Sequence, residues 1–229
     1  FNVEVAGVLG SDLYPKSEGF DDSPNKTEIE SVISPSFLME DYAIGVLYEK
    51  NSIHFKKLSQ KIKAPPDIIH VEQPWLMPFA QRFITESKHK IKLIYGSQNI
   101  EYRLKLSILT SYSAGEKIEE KANLIKEVEI KAIQQSDGII CVSEEDVSWT
   151  KEYAYCPILL APNGVNRWDT NNTGFKEASK ITLRHKFVLF CASAHPPNVT
   201  GFFKMLGQGF GSLAPSEKLI VAGSAGDAI

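Results

Sequence analysis

Five short polar segments carry the side chains that could do chemistry. They are "HVEQPWL" from His70, "GSQNIEYRL" from Gly96, "SEEDV" from Ser143, "APNGVN" from Ala161 and "ASAHPPN" from Ala192. Each follows an apolar run of strand length. Gln73, Ser97, Gln98, Asn99, Glu101 and Asn163 offer hydrogen bonds to a polar ligand. Ala192 to Asn198 points to a different ligand. Backbone N–H groups and the positive end of a following helix dipole suit a diphosphate. Ser193 and Ala194 are small enough for close approach, and His195 is placed either to donate or to lie in solvent. Pro196 and Pro197 stiffen the entry, and Asn198 reads as the helix N-cap. The same residues also fit a plain strand-to-helix turn.

The elements that must position these segments alternate along the chain. Strands are expected at Val3–Gly10, Asp67–Gln73, Ile91–Gln98, Gly138–Ser143, Pro157–Val165, Phe187–Ser193 and Lys218–Ser224. Ala43–Lys50 reads as a strand or the end of a helix, and Ser11–Glu28 as a polar surface loop. The clearest helix runs from Gly115 to Ser136, with Ile118, Ala122, Ile125, Ala132 and Ile133 at helical spacing. Ser113 and Glu116 fit a capping box, and Gly138 fits a left-handed stop. Near-continuous apolar strands separated by helices imply a parallel sheet buried on both faces, hence an α/β protein. Ligands of such sheets bind beyond the carboxyl ends of the strands, where the five segments lie. The polar stretch 166–186 breaks the rhythm and reads as a crossover between domains.

Each candidate has a structural reading beside the functional one. Ser97 or Asn99 could cap the helix beginning near Ile100, which leaves Gln98 as the better cleft residue. His70, alone on an apolar strand, reads as a satisfied core group, and Trp75 as core. Glu144, Glu145 and Asp146 suit a helix N-terminus. Gly164 in the Pro-Asn-Gly turn is expected to take positive φ.

Bulk properties exclude several classes. The chain has 229 residues, a net charge of −3 and 43% hydrophobic content. That argues against a nucleic-acid binder with a broad basic face. No apolar run is long enough to span a bilayer as a helix. Cys141, Cys156 and Cys191 are odd in number and scattered, as buried reduced thiols of a cytosolic protein would be. No Cys/His spacing resembles a zinc site.

The order and wording of the segments resemble the glycosyltransferase family 4 type of enzyme. "DIIHVEQPWL", "LIYGSQNIEYRLKLSIL", "SDGIICVSEEDVSWTKEY", "PILLAPNGVN" and "LFCASAHPPNVTGFFKML" follow the family's order, and "EKLIVAGSAGD" resembles its next strand. The resemblance implies a GT-B fold, with Rossmann-like domains. Residues 1–165 would be the acceptor-side domain, 166–186 a linker and 187–229 the start of the donor domain. It implies transfer of a sugar from a nucleotide-sugar to a sugar or glycan acceptor, with retention and without a metal or other cofactor. Helix dipoles and cationic side chains would stabilise the leaving diphosphate. No DxD-like motif follows a strand.

The family often has His where this chain has Gln98, so the resemblance gives Gln98 the catalytic position. Gln73, Ser97, Asn99, Glu101 and Asn163 fall on the acceptor side. Ser193, Ala194, His195 and Asn198 fall on the donor side. The family's pattern runs further at both ends, so the chain reads as clipped, without the donor-gripping acids. Weak or no nucleotide-sugar binding is then expected of the chain as given, and no transfer activity on its own. A cytoplasmic location is implied, with room for peripheral membrane association. The rival readings are a non-catalytic sugar- or partner-binding relative and a nucleotide-sugar epimerase on the same fold.

Overall fold

The apolar runs from Ile68 onward fold as parallel strands, and the segments between them as helices. The computed structural model describes residues 2–10, 16–34, 36, 38–112, 117–164, 180, 182, 185–194, 196–207, 209, 211 and 213–229. The chain forms two compact units, Phe1–Asn163 and Gly164–Ile229.

The first unit opens with a short parallel pair, β1 (Gly7–Val8) and β2 (Phe20–Asp21). The strand expected over Val3–Gly10 is thus reduced to its centre, and Val3 and Val5 are exposed. The polar segment Ser11–Glu28 is not all loop, for it holds β2 and the first turn of α1 (Lys26–Val32). Asn25 starts that helix by a capping box. Its Oδ1 accepts from the Glu28 N–H at 3.0 Å, and the Glu28 carboxylate accepts from the Asn25 N–H at 2.9 Å.

The ambiguous Ala43–Lys50 segment is helical, within α2 (Glu40–Lys50). Ala43, Ile44, Leu47 and Tyr48 share its buried side. Asn51 then caps α3 (Ser52–Ser59), accepting from the Ile53 N–H at 2.9 Å. The Tyr48 hydroxyl donates to Asp21 at 2.6 Å and so ties β2 to α2.

The centre of the unit is a four-stranded parallel sheet, β3 (Ile68–Glu72), β4 (Lys92–Ser97), β5 (Gly138–Cys141) and β6 (Ile158–Leu160), in chain order. Register places Glu72 beside Gly96 and Ser97 beside Cys141, so the carboxyl ends are level. The connections are α4 (Met77–Ser87), then α5 (Glu101–Ser111) with α6 (Ile118–Gln134), then α7 (Glu144–Thr150). Val71, Leu93, Tyr95, Ile139 and Cys141 pack with Met77, Ala80, Ile133 and Trp149 from these helices.

Burial on both faces holds for β4 but not for the outer strands. Ile68, His70 and Glu72 of β3 are exposed, as are Leu159 and Leu160 of β6. These are the outer strands of the four, where a helix layer covers less. His70 is therefore not a core group.

The long helix is shorter than its pattern predicts. It begins after Lys117, whose φ is 74°, and the expected capping pair Ser113 and Glu116 lies outside the described residues. Gly138 is no helix stop. It opens β5 with extended backbone, and a Cβ there would lie 3.1 Å from Ile94 Cδ1.

The second unit contains β7 (Phe187–Cys191), α8 (Pro196–Leu206) and β8 (Lys218–Ala222), a parallel βαβ arrangement. Phe190 of β7 stacks on Phe202 of α8 with centroids 5.0 Å apart. The expected crossover 166–186 lies almost wholly outside the described residues. Gly164 does not take the positive φ expected of it. The thiols are free, with Cys141 buried, Cys156 half-buried and Cys191 exposed, so the expectation of buried thiols fails for Cys191. Among the described residues, no helix is long and apolar enough to cross a membrane.

Candidate functional site

The carboxyl ends of β3 and β4 bring Gln98 to Glu72. The Gln98 Nε2 donates to Glu72 Oε2 at 2.6 Å, and His70 Nε2 lies 3.5 Å from Glu72 Oε1. A carboxylate only accepts, so it holds the amide by its NH2 side and leaves Oε1 for another donor. Gly96 makes room for this group. A Cβ there would stand 2.5 Å from His70 Nε2 and 2.8 Å from Glu72 Oε2. His70 and Glu72 did not stand out in the sequence as partners of Gln98. The signal was alternation, since His70 and Glu72 share one side of β3.

Gln73 follows β3 with φ of 64°. Its N–H donates to the Gly96 carbonyl at 2.9 Å, and its Oε1 accepts from Trp75 Nε1 at 3.2 Å. Trp75 is buried, as its core reading requires. Ser97 is 1% exposed, and its hydroxyl donates to the Asn99 carbonyl at 3.2 Å. It shapes the turn from within. Asn99 is exposed, with its Nδ2 3.5 Å from Glu101 Oε1. Asn163 is exposed at the end of the first unit.

Neither Ser97 nor Asn99 caps the following helix. The residue before α5 is Ile100, which has no side-chain cap bond. The cap comes from α6. Glu129, 0% exposed, accepts the Glu101 N–H at 2.8 Å and the Tyr102 N–H at 3.1 Å. Burial pushes its carboxyl up to about 7, with the two N–H bonds pulling the other way. Burial also raises Glu101, against the pull of Asn99 and Lys105. The hydroxyl of buried Tyr95 faces Ser97 and Glu129, and burial holds it protonated. Sequence reasoning missed Glu129, because it acts on residues far away in the chain.

Beyond β5, Ser143 caps α7. It accepts from the Asp146 N–H at 3.1 Å and donates to the Asp146 carboxylate at 2.7 Å. Glu145 pairs with Arg103 of α5 at 3.0 Å. The acidic run thus serves the helix start, and its second member reaches α5.

In the second unit, Asn198 is not an N-cap. It sits inside α8, and its Nδ2 donates back to the Ser193 carbonyl and hydroxyl, both at 3.2 Å. Some of the N–H groups expected to be free are in use. That of Ala192 donates to the Ala222 carbonyl at 3.0 Å, and that of Ala194 to the Ser224 hydroxyl at 2.9 Å. Pro196 and Pro197 carry no N–H, so the first helical donor is the N–H of Asn198. His195 lies outside the described residues. Among the described residues, no group of three or more His, Cys, Asp or Glu side chains could hold a metal ion.

A family model described as Glycosyltransferase Family 4 matches residues 20–168, more than half of the chain. The match spans β2 through β6 and includes Gln73, Ser97, Gln98, Asn99, Glu101 and Asn163. A comparison with curated proteins gives no match. The chain belongs to glycosyltransferase family 4.

Proposed function

We propose that the protein transfers a sugar from a nucleotide-sugar donor to a hydroxyl of a sugar or glycan acceptor. The anomeric carbon exchanges its bond to the diphosphate oxygen for one to the acceptor oxygen. The acceptor's proton leaves with the diphosphate. In this reading the configuration is retained and no metal takes part. Positive charge for the diphosphate comes from a helix N-terminus and its N–H donors.

The observation that carries the acceptor side is the fixed amide of Gln98, held by Glu72 with Oε1 left to accept from a hydroxyl. Gln73 and Asn99 stand beyond the ends of β3 and β4, and Asn163 beyond β6. Ser97 and Glu101 are buried and support the turn from beneath. Ser193, Ala194, His195 and Asn198 form the donor side.

A second reading is a non-catalytic sugar-binding relative. The amide at position 98 cannot carry a proton, and two prolines remove donors from the start of α8. A test is acceptor-dependent release of nucleoside diphosphate from uridine, guanosine and adenosine diphosphate sugars, with and without EDTA. Release that EDTA leaves unchanged supports the transferase. Glycan binding without release supports the second reading.

A further inference from the structure

Glu129 spends a buried carboxylate on two backbone N–H groups of another helix. Those groups belong to Glu101 and Tyr102, the first residues of α5, directly after the Gln98–Asn99 turn. No side chain within the turn performs this capping. A carboxylate at a helix start makes charge-assisted bonds, which are stronger and more directional than neutral ones. Removing it would leave two orphan donors beneath the turn.

We infer that Glu129 is a positioning residue for acceptor binding: by anchoring the first turn of α5, it holds the Gln98 turn against Glu72. The inference rests on the reading of Gln98 as an acceptor-binding residue. Glu129 acts through the backbone and touches no substrate. The groups facing it are Glu101 from α5 and Tyr95 from β4. Lys105, paired with Asp41 at 3.0 Å, reaches toward Glu101. On its own helix, Lys126 sits over the Tyr102 ring at 5.1 Å. None of these contacts gives Glu129 a close cation, so its charge is balanced chiefly by N–H donors. Because burial raises its carboxyl to about 7, the anchor titrates in a usable range.

Two measurements test this on the whole chain. In the wild-type protein, the amide proton shifts of Glu101 and Tyr102, read by NMR, should titrate together with a midpoint near 7. Flat shifts across that range would overturn the inference without any variant. In Glu129→Gln one of the two bonds is lost. Amide exchange at Glu101 and Tyr102 should then quicken roughly tenfold, as one charge-assisted bond predicts. Acceptor KM should rise about 5- to 10-fold, by the same argument, with kcat changing less. The wild-type rise of acceptor KM as pH falls through 7 should vanish in the variant. Unchanged KM in Glu129→Gln, with Gln98→Ala impaired, overturns the inference and leaves the transferase reading standing. Unchanged KM in Gln98→Ala sinks the acceptor role of Gln98, and the positioning role with it.

Discussion

Gln98 and Glu72 meet across the ends of two neighbouring strands, with Nε2 donating to Oε2 at 2.6 Å. The strand ends and the turn thereby present an amide oxygen at the carboxyl end of the sheet. The bond is partly solvent-exposed, so its value is orientation more than stability. Replacing Glu72 by Ala should leave the unfolding free energy within about 0.5 kcal/mol, as for other surface changes. Acceptor KM should nonetheless rise several-fold, by roughly the worth of one oriented hydrogen bond. Urea denaturation and steady-state kinetics on one preparation separate the two effects.

Gly96 and Gly45 should respond differently to alanine. At Gly96 the new Cβ meets the ends of two side chains, His70 and Glu72, which can swing away. Stability should fall by about 1 kcal/mol or less, while the Glu72–Gln98 pair is displaced. At Gly45 the new Cβ meets the Trp75 carbonyl oxygen, which is backbone and cannot yield cheaply. There the loss should be about 2–3 kcal/mol despite the better helix propensity of alanine. Thermal melts of the two variants give the comparison.

Glu129 makes stability depend on pH with a definite sign. Its folded value, about 7, lies above the ordinary carboxylate value of 4.5, so the folded chain keeps a proton that the unfolded chain has lost. The contribution is full below about pH 4.5 and is lost as pH rises to about 7. The raised carboxyl corresponds to a loss on the order of 3 kcal/mol across that window. Denaturation of wild type and Glu129→Gln at about pH 5 and pH 8 should show a steeper fall for the wild type. Parallel curves would contradict the assignment.

The Tyr48 hydroxyl links β2 to the helices, beside the packing of Val8 on the same cluster. It donates to Asp21 at 2.6 Å and lies 3.2 Å from the Asp22 carbonyl, and Tyr48 is fully buried. Tyr48→Phe should cost about 1–3 kcal/mol. Hydrogen exchange should quicken first at Phe20 and Asp21, ahead of the central sheet.

The sequence made the central sheet legible because its strands are apolar runs ended by small or polar residues. Ile68–Glu72, Lys92–Ser97 and Gly138–Cys141 all fall inside the expected spans. Ala43–Lys50 was ambiguous because a short apolar run fits a buried strand or a buried helix, and only packing against its neighbours decides. Gly138 followed a helix, as a stop would, but its place beside Ile94 needs a small residue in a strand. Helix caps misled most. Asn99 and Asn198 are good capping types next to helix starts, yet α5 is capped by Glu129 and Asn198 bonds backward to Ser193. Local rules see neighbours in sequence, and the Glu129 cap arrives through the tertiary fold.

The most direct test of sugar transfer is mass spectrometry of glycan acceptors incubated with the protein and each nucleotide-sugar. An acceptor should gain the mass of one sugar residue, with the yield cut at least tenfold in Gln98→Ala. An acceptor that binds but never gains mass, with every donor tried, would contradict sugar transfer.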